Sequence, residues 1–330
     1  RGLESEQQTQ AGTHSALALC SYVEHFESRL EEDLGWGCGW RNIQMISSHF
    51  LEEDEEKRDA LFGGACFVPD ISALQQWLEI AWAKGFDTQG AQHFNWKIAG
   101  THKWIGTTQC AALLRSFGLR ARIVDFQAYM GIDETAAESS SRGETGNGLP
   151  EESSSGAAGS GAGTTAAASR DQGFAIDQRH LMDCMWNYFA GKPADTATSS
   201  SSSASPAAAA AKITMSDRSR LYFQHKGHSC TVVGIQRKQQ ILAADSSASN
   251  ISNSSSSSAQ EDFILVLDPS EMTRDIVKCL SAQTGWQKLL KRSTQTLRHP
   301  EYQLCYVEPG IVYGEGHKNL KLLSSVHYTY

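Results

Sequence analysis

"EEDLGWGCGWRNIQMISSHF", residues 31–50, sets one cysteine among glycines and tryptophans just where a helical pattern begins. Ile43, Ile46 and Phe50 recur at helical spacing, so the run from Cys38 onward predicts an amphipathic helix. A cysteine that only fills the core belongs among those apolar positions, whereas Cys38 stands at the first turn. Unpaired N–H groups and the helix dipole favour an anion there, which lowers a thiol's pKa. Gly37 and Gly39 leave room for a substrate backbone, and Trp36 and Trp40 are placed to wall a groove.

A thiolate nucleophile needs a base, and the base needs an orienting group. "YFQHKGHSCTVVGI" (222–235) offers His225 and His228, the latter at the start of a β-branched run that reads as a strand. Gly227 gives the chain a tight approach before it. "FILVLDP" (263–269) reads as a neighbouring strand ended by Asp268 and Pro269. Adjacent strand ends bring imidazole and carboxylate within hydrogen-bonding reach, and the carboxylate then stabilises the charged ring. Gln224 is placed to donate an amide N–H to an oxyanion beside the Cys38 backbone N–H. Cys66, Cys110, Cys184, His180 and His299 fit ordinary structural roles.

Around this constellation, helices are predicted at 70–85, with Asp70 as N-cap, at 108–118 and at 174–191. "LRARIVDF" (119–126), "LYFQ" (221–224) and "QLCYVE" (303–308) read as strands. Helices come first and an antiparallel sheet later, an α+β pattern of papain-like chain order: Cys on an early helix, His and then Asp on later strands. Residues 134–170, 194–211 and 245–260 are built from Ser, Ala, Gly and Thr and read as disordered insertions. The remainder, about 260 residues, suits a single domain over 1–330 interrupted by those tracts.

The net charge of −8 and the lack of a basic stripe argue against direct nucleic-acid binding. Eight cysteines without a CxxC pair read as reduced thiols of a cytoplasmic or nuclear protein. No apolar run reaches membrane-spanning length and no signal peptide opens the chain, which begins with Arg1. Upstream sequence is therefore expected to be missing.

"GWGCGWRNIQM" resembles the nucleophile motif of the Ufm-specific protease family of papain-like cysteine peptidases. The likeness is greatest to the zinc-finger-containing ubiquitin peptidase (ZUFSP) branch, and continues through "AKGFDTQGAQ" (83–92), "KWIGTTQCAALLRSFGLRARIVDF" (103–126), "QHKGHSCTVVGI" (224–235) and "ILVLDPS" (264–270). It implies a thiol-dependent hydrolase that cleaves after the terminal Gly-Gly of ubiquitin and polyubiquitin, without a metal or organic cofactor. By resemblance Cys38 is the nucleophile, His228 the general base, Asp268 its orienter and Gln224 the oxyanion-hole glutamine. Asp87 falls on an acidic position that receives arginines of the ubiquitin tail, by a charge-assisted contact. Gln109 replaces a second acidic residue, and Trp104 is a further groove candidate beside Gly227.

Two departures separate the branches. Ufm-directed members carry their histidine in a D-P-H motif, where this chain has Ser270, and use a tyrosine for the oxyanion, where it has the hydroxyl-free Phe26. Both favour ubiquitin. The zinc fingers of the animal enzymes have no counterpart in these cysteine spacings, so either they lie outside this stretch or this is a short form. A preference for lysine-sixty-three-linked chains, also implied, depends partly on auxiliary ubiquitin-binding segments. A Ufm-specific protease and a catalytically inactive ubiquitin-binding module are the alternatives.

Overall fold

The computed structural model describes residues 13–127, 178–191, 212–240 and 260–329. These residues belong to one compact unit, while a second, 129–176, lies outside them. The tracts expected to be disordered fall outside the described residues as well, except for Gln260.

Along the chain come β1 (Thr13–Cys20), α1 (Cys38–Glu53), α2 (Glu55–Ala60), α3 (Ile71–Ala83), α4 (Thr88–His93), α5 (Thr107–Ser116) and β2 (Leu119–Gln127). After them follow α6 (Arg179–Ala190), β3 (Lys212–Ser216), β4 (Leu221–His225), β5 (His228–Gln240) and β6 (Gln260–Leu267). The chain continues through α7 (Thr273–Ser281), α8 (Trp286–Leu290), β7 (Lys291–Ser293), β8 (Glu301–Ile311), α9 (Gly316–Asn319) and β9 (Ser325–Thr329). Asp70 caps α3 through its carboxylate, which accepts from the Ala73 N–H at 2.7 Å. Gly118, at φ +85°, ends α5 in the left-handed region that an L side chain resists.

Nine strands form one sheet among the described residues, in the order β3-β1-β5-β4-β8-β2-β9, with β6 paired to β5 and β7 to β6. The sheet is mixed rather than antiparallel: β3 runs parallel to β1 and β9 parallel to β2. β1 also places a strand before the first helix, where the sequence was expected to open on helices. β5 and β6 pair antiparallel from Thr231↔Leu267 out to Gln239↔Gln260.

Side chains alternate across this sheet. Ala121, Ile123, Tyr222 and Val307 face one core with Trp40, Ile43, Ile46 and Phe50 of α1 and the buried residues of α3 and α5. Val124, Phe126, Leu221, Phe223 and Leu304 face the other, against Leu181, Met182, Met185 and Phe189 of α6. Each such side chain stabilises the fold by about 1.5–3 kcal/mol before chain entropy is set against it. The α1 face matters most for chemistry, because it presses the helix N-terminus against the ends of β4 and β5.

Candidate active site

Cys38 is the first residue of a 16-residue helix, with Gly37 as a cap that offers no side chain. The orphan N–H groups and dipole of that turn favour a thiolate. Burial pushes the Cys38 thiol up, but hydrogen bonds from the His228 side chain and from Ser229 outweigh it, and the net shift is downward. His228 opens β5, and its Nε2 donates to Asp268 Oδ1 at 2.9 Å. That leaves Nδ1 as the ring nitrogen for the sulfur. The Asp268 bond, the Cys38 bond and the nearby negative charge outweigh burial and raise His228 to about 10. Asp268 would be raised by burial, but His228 and Ser270 bring it down to about 2. Thiol, imidazole and carboxylate thus form one hydrogen-bonded chain, suited to a thiolate–imidazolium pair.

Asp268 Oδ1 is shared, accepting also from the Ser270 N–H at 2.9 Å and the Ser270 hydroxyl at 2.7 Å. Arg292 stands 4.0 Å from Oδ2. Gln224 is held by its oxygen, which accepts from the Thr107 N–H at 3.1 Å. Its amide nitrogen is therefore the donor end, on the strand face of Tyr222, whose hydroxyl adjoins Gly39.

Spacing is set from inside by Asn42, one turn along α1. Its amide donates to Cys38 O at 2.8 Å and to Ser229 Oγ at 2.9 Å, and its oxygen accepts from Thr231 Oγ1 at 2.7 Å. A fully buried polar residue so satisfied locks the Cys38 helix to the strand bearing the imidazole. The loop before Cys38 is held by Asp33, 1% exposed, which accepts from Arg41 Nε at 3.0 Å and Nη2 at 2.6 Å and from the Arg29 N–H at 3.0 Å. Breaking such a buried pair from one side costs about 3–5 kcal/mol. Asp33→Ala is accordingly expected to lower the melting temperature by about 10 °C in a calorimetric scan. A melt within a degree or two of the parent would remove Asp33 as the loop's anchor. No sequence motif announced Asn42 or Asp33. Their only signal was a polar residue on an otherwise apolar helix face and an acid eight positions before an arginine.

The two glycines serve the protein's own packing. A Cβ on Gly37 would lie 2.1 Å from an Asp33 carboxylate oxygen, and one on Gly39 would lie 2.8 Å from the Ile105 carbonyl. Trp40 is a correction to the groove it was expected to wall: it is fully buried, packed with Ile43 behind the nucleophile. Its position three residues before Ile43 extends the same apolar stripe, which was the signal for its burial.

Trp36 is half-buried and stacks on His102, ring centroids 4.8 Å apart, beside a cavity of about 280 Å³ that it lines with Asp33, Asp70 and Gln75. Trp104 is 52% exposed and lies over Gly227, whose φ is +80° and whose Cβ position is 3.7 Å from the indole. Trp36 thus stacks on the start of the His102–Gly106 loop and Trp104 stands within it, and this loop reaches both the Cys38 helix and Gln224.

Asp87 caps α4, with Oδ1 accepting from the Gly90 N–H at 3.0 Å, while its buried Oδ2 meets no hydrogen-bond partner among the described residues. Burial raises its carboxyl against the pull of Gly90 and the Gln109 and Trp82 side chains. Gln109 itself accepts from the Gly106 N–H at 3.0 Å, closing the first turn of α5. Among the described residues no helix is long and apolar enough to cross a membrane, and no group of three or more His, Cys, Asp or Glu is placed to hold a metal ion.

An α+β fold that packs a helix-borne thiol against a strand-borne imidazole and carboxylate defines the papain-like class of cysteine peptidases. Within it, residues 12–305 match the model of peptidase family C78, and the chain belongs to that family. Zinc finger-containing ubiquitin peptidase 1 of Mus musculus and of Homo sapiens are each 30% identical over 292 residues, 88% of this chain and 37% of theirs. Ubiquitin carboxyl-terminal hydrolase mug105 of Schizosaccharomyces pombe is 35% identical over 119 residues, 34% of this chain and 46% of its own. The chain therefore spans less than half the length of these relatives. A crystal structure of UfSP from C. elegans superposes with a TM-score of 0.43 at 13% identity, covering 95% of this chain and 38% of that one.

Proposed function

We propose that this chain is a deubiquitinating cysteine peptidase that hydrolyses isopeptide and peptide bonds after the C-terminal Gly-Gly of ubiquitin. The observation that carries the choice of modifier is Ser270, which stands at the third position of the Asp-Pro turn and donates to the carboxylate, while the imidazole comes from residue 228. The ubiquitin-directed names of its most similar curated relatives support the same choice.

The Cys38 thiolate attacks the glycine carbonyl, with Gln224 Nε2 and the Cys38 N–H as donors to the tetrahedral oxyanion. His228 as imidazolium then protonates the departing lysine amine, and the acyl group stays on sulfur as a thioester. Water, deprotonated by His228, releases the modifier and regenerates the thiol. Asp268 keeps the ring oriented and charged through the first half of the cycle. Trp36, Trp104 and Gly227 form the approach to the sulfur, where a di-glycine tail fits and larger side chains do not. Asp87, with its unpaired oxygen, receives an arginine of the tail, and Gln109 contributes hydrogen bonding without charge.

The peptidase domain spans the chain as one unit interrupted by the Ser- and Ala-rich tracts, in the cytoplasm or nucleus. Lysine-sixty-three-linked chains are the proposed preferred polymer.

Paired labelling tests the modifier. Ubiquitin and Ufm probes carrying C-terminal electrophiles are incubated with the chain, with Cys38→Ala as control. An adduct with ubiquitin that vanishes in the variant is expected, whereas an adduct with Ufm alone rejects the ubiquitin assignment. Ubiquitin binding by a folded sample with unreactive Cys38 would instead establish a non-catalytic binding module.

A further inference from the structure

Asp268 lies one residue beyond the end of β6, so the ladder that closes at Thr231↔Leu267 does not hold its backbone. What holds it is one local turn bond, the Glu271 N–H donating to the Asp268 carbonyl at 3.0 Å, together with a strip from the N-terminal part of the chain. His25 Nε2 lies 2.9 Å from the Asp268 carbonyl oxygen and its Nδ1 lies 2.8 Å from Thr273 Oγ1. A carbonyl only accepts, so Nε2 carries the proton and donates, and the Thr273 hydroxyl faces the other nitrogen. Two further bonds join the same strip to the same turn: the Ser28 N–H donates to Pro269 O at 2.7 Å, and the Thr273 N–H to Glu27 Oε2 at 2.6 Å. Five residues on, this strip becomes the Asp33 loop that presents Cys38.

We propose that His25 is a positioning residue of the active site: by fixing the Asp268 carbonyl and Thr273, it holds the turn in the one orientation that aims the carboxylate at His228. The carboxylate is itself a single point of support for the ring, since Oδ1 alone meets Nε2. A small rotation of the turn therefore breaks the bond that keeps the imidazolium charged and, through it, the thiolate ionised. The inference rests on the thiol-peptidase chemistry proposed above but not on which modifier is cleaved.

The test reads Cys38 directly. The rate of its alkylation by iodoacetamide is followed across pH by mass spectrometry of the Cys38 peptide, since Cys66 is also exposed, alongside kcat and KM. His25→Ala is expected to move the acid limb of alkylation upward in pH and to lower kcat roughly 10-fold at unchanged KM. His25→Gln, whose amide still donates to the carbonyl, is expected to restore most of both. A residue that merely supports the fold would lower the melting temperature while leaving the alkylation profile in place. A His25→Ala profile superimposable on the parent, or a Gln variant no better than Ala, overturns the proposal. If His25→Ala does not fold, Thr273→Val, which frees the far side of the ring, must shift the same limb in the same direction, and an unshifted limb counts against it. Should the limb move while neither modifier probe labels the parent, the positioning role stands and the assignment of substrate falls.

Discussion

Cys38→Ala is expected to reduce turnover on the order of 10⁶-fold, while the variant binds modifier as tightly as the parent. In the proposed mechanism the Cys38 sulfur becomes the thioester, and none of the other seven cysteines is placed beside the hydrogen-bonded pair of His228 and Asp268. Cys110 and Cys230, for instance, are buried with their thiols pushed far up, which keeps them un-ionised. Removing the sulfur has a second, independent consequence. The Cys38 bond is one of the causes that raise His228, so the imidazole should titrate lower in the variant yet stay above 6.5 because Asp268 remains. Proton NMR of the ring reads this shift without any substrate. Residual turnover of a thousandth of the parent would mean that a different thiol does the chemistry.

Asp268→Asn should cost about 10²–10⁴ in kcat with little change in KM. The amide keeps the shape and can accept the ring N–H, but it carries no charge to stabilise an imidazolium. The proposed mechanism requires ionised Cys38 together with protonated His228, so activity in the parent is expected to climb as pH rises through the depressed thiol pKa and to decline as pH approaches about 10. In the variant the main cause of the raised His228 value is gone, so the alkaline limb falls toward 6.5 and the acid limb rises. Stability follows the same pair. Asp268 is lowered, so its contribution is present above 3.8 and is lost as pH falls toward 2. His228 is raised, so its contribution is full below 6.5 and is lost as pH rises toward 10. The difference in melting temperature between parent and variant is therefore expected to be largest between those two unfolded values, near pH 5. A difference that grows steadily to pH 10 would contradict the pairing.

The element ends at which Cys38, His228 and Asp268 stand were legible in the sequence, because such ends are written locally: glycines before a helical stripe, a β-branched run after a histidine, an Asp-Pro after an apolar strand. Gln224 was singled out by its place four residues before His228 and by the family resemblance. Trp40 was misread from its neighbours, although the stripe through Ile43 placed it inward. β3 and β9 left little trace. They are short edge strands in parallel pairing with mostly exposed faces, so no alternation of apolar and polar residues marks them. Asn42, Asp33 and His25 escaped for a different reason. Asn42 and His25 meet Ser229 and Asp268 across 187 and 243 residues, which leaves no periodicity to read, while Asp33 pairs with Arg41 only eight residues on, a spacing that belongs to no motif.

The β5–β6 ribbon carries the imidazole and the carboxylate at its near end, and its far end opens into the serine-rich stretch after Gln240. Eight residues of paired strand, about 27 Å, separate the two. Changes in connector length are absorbed at the remote end, since the rungs between are fixed by paired strand, with one register shift between Val232 and Gly234. Such a layout lets this part of the gene gain and lose low-complexity codons across generations without retuning the distance between the two groups that share the proton.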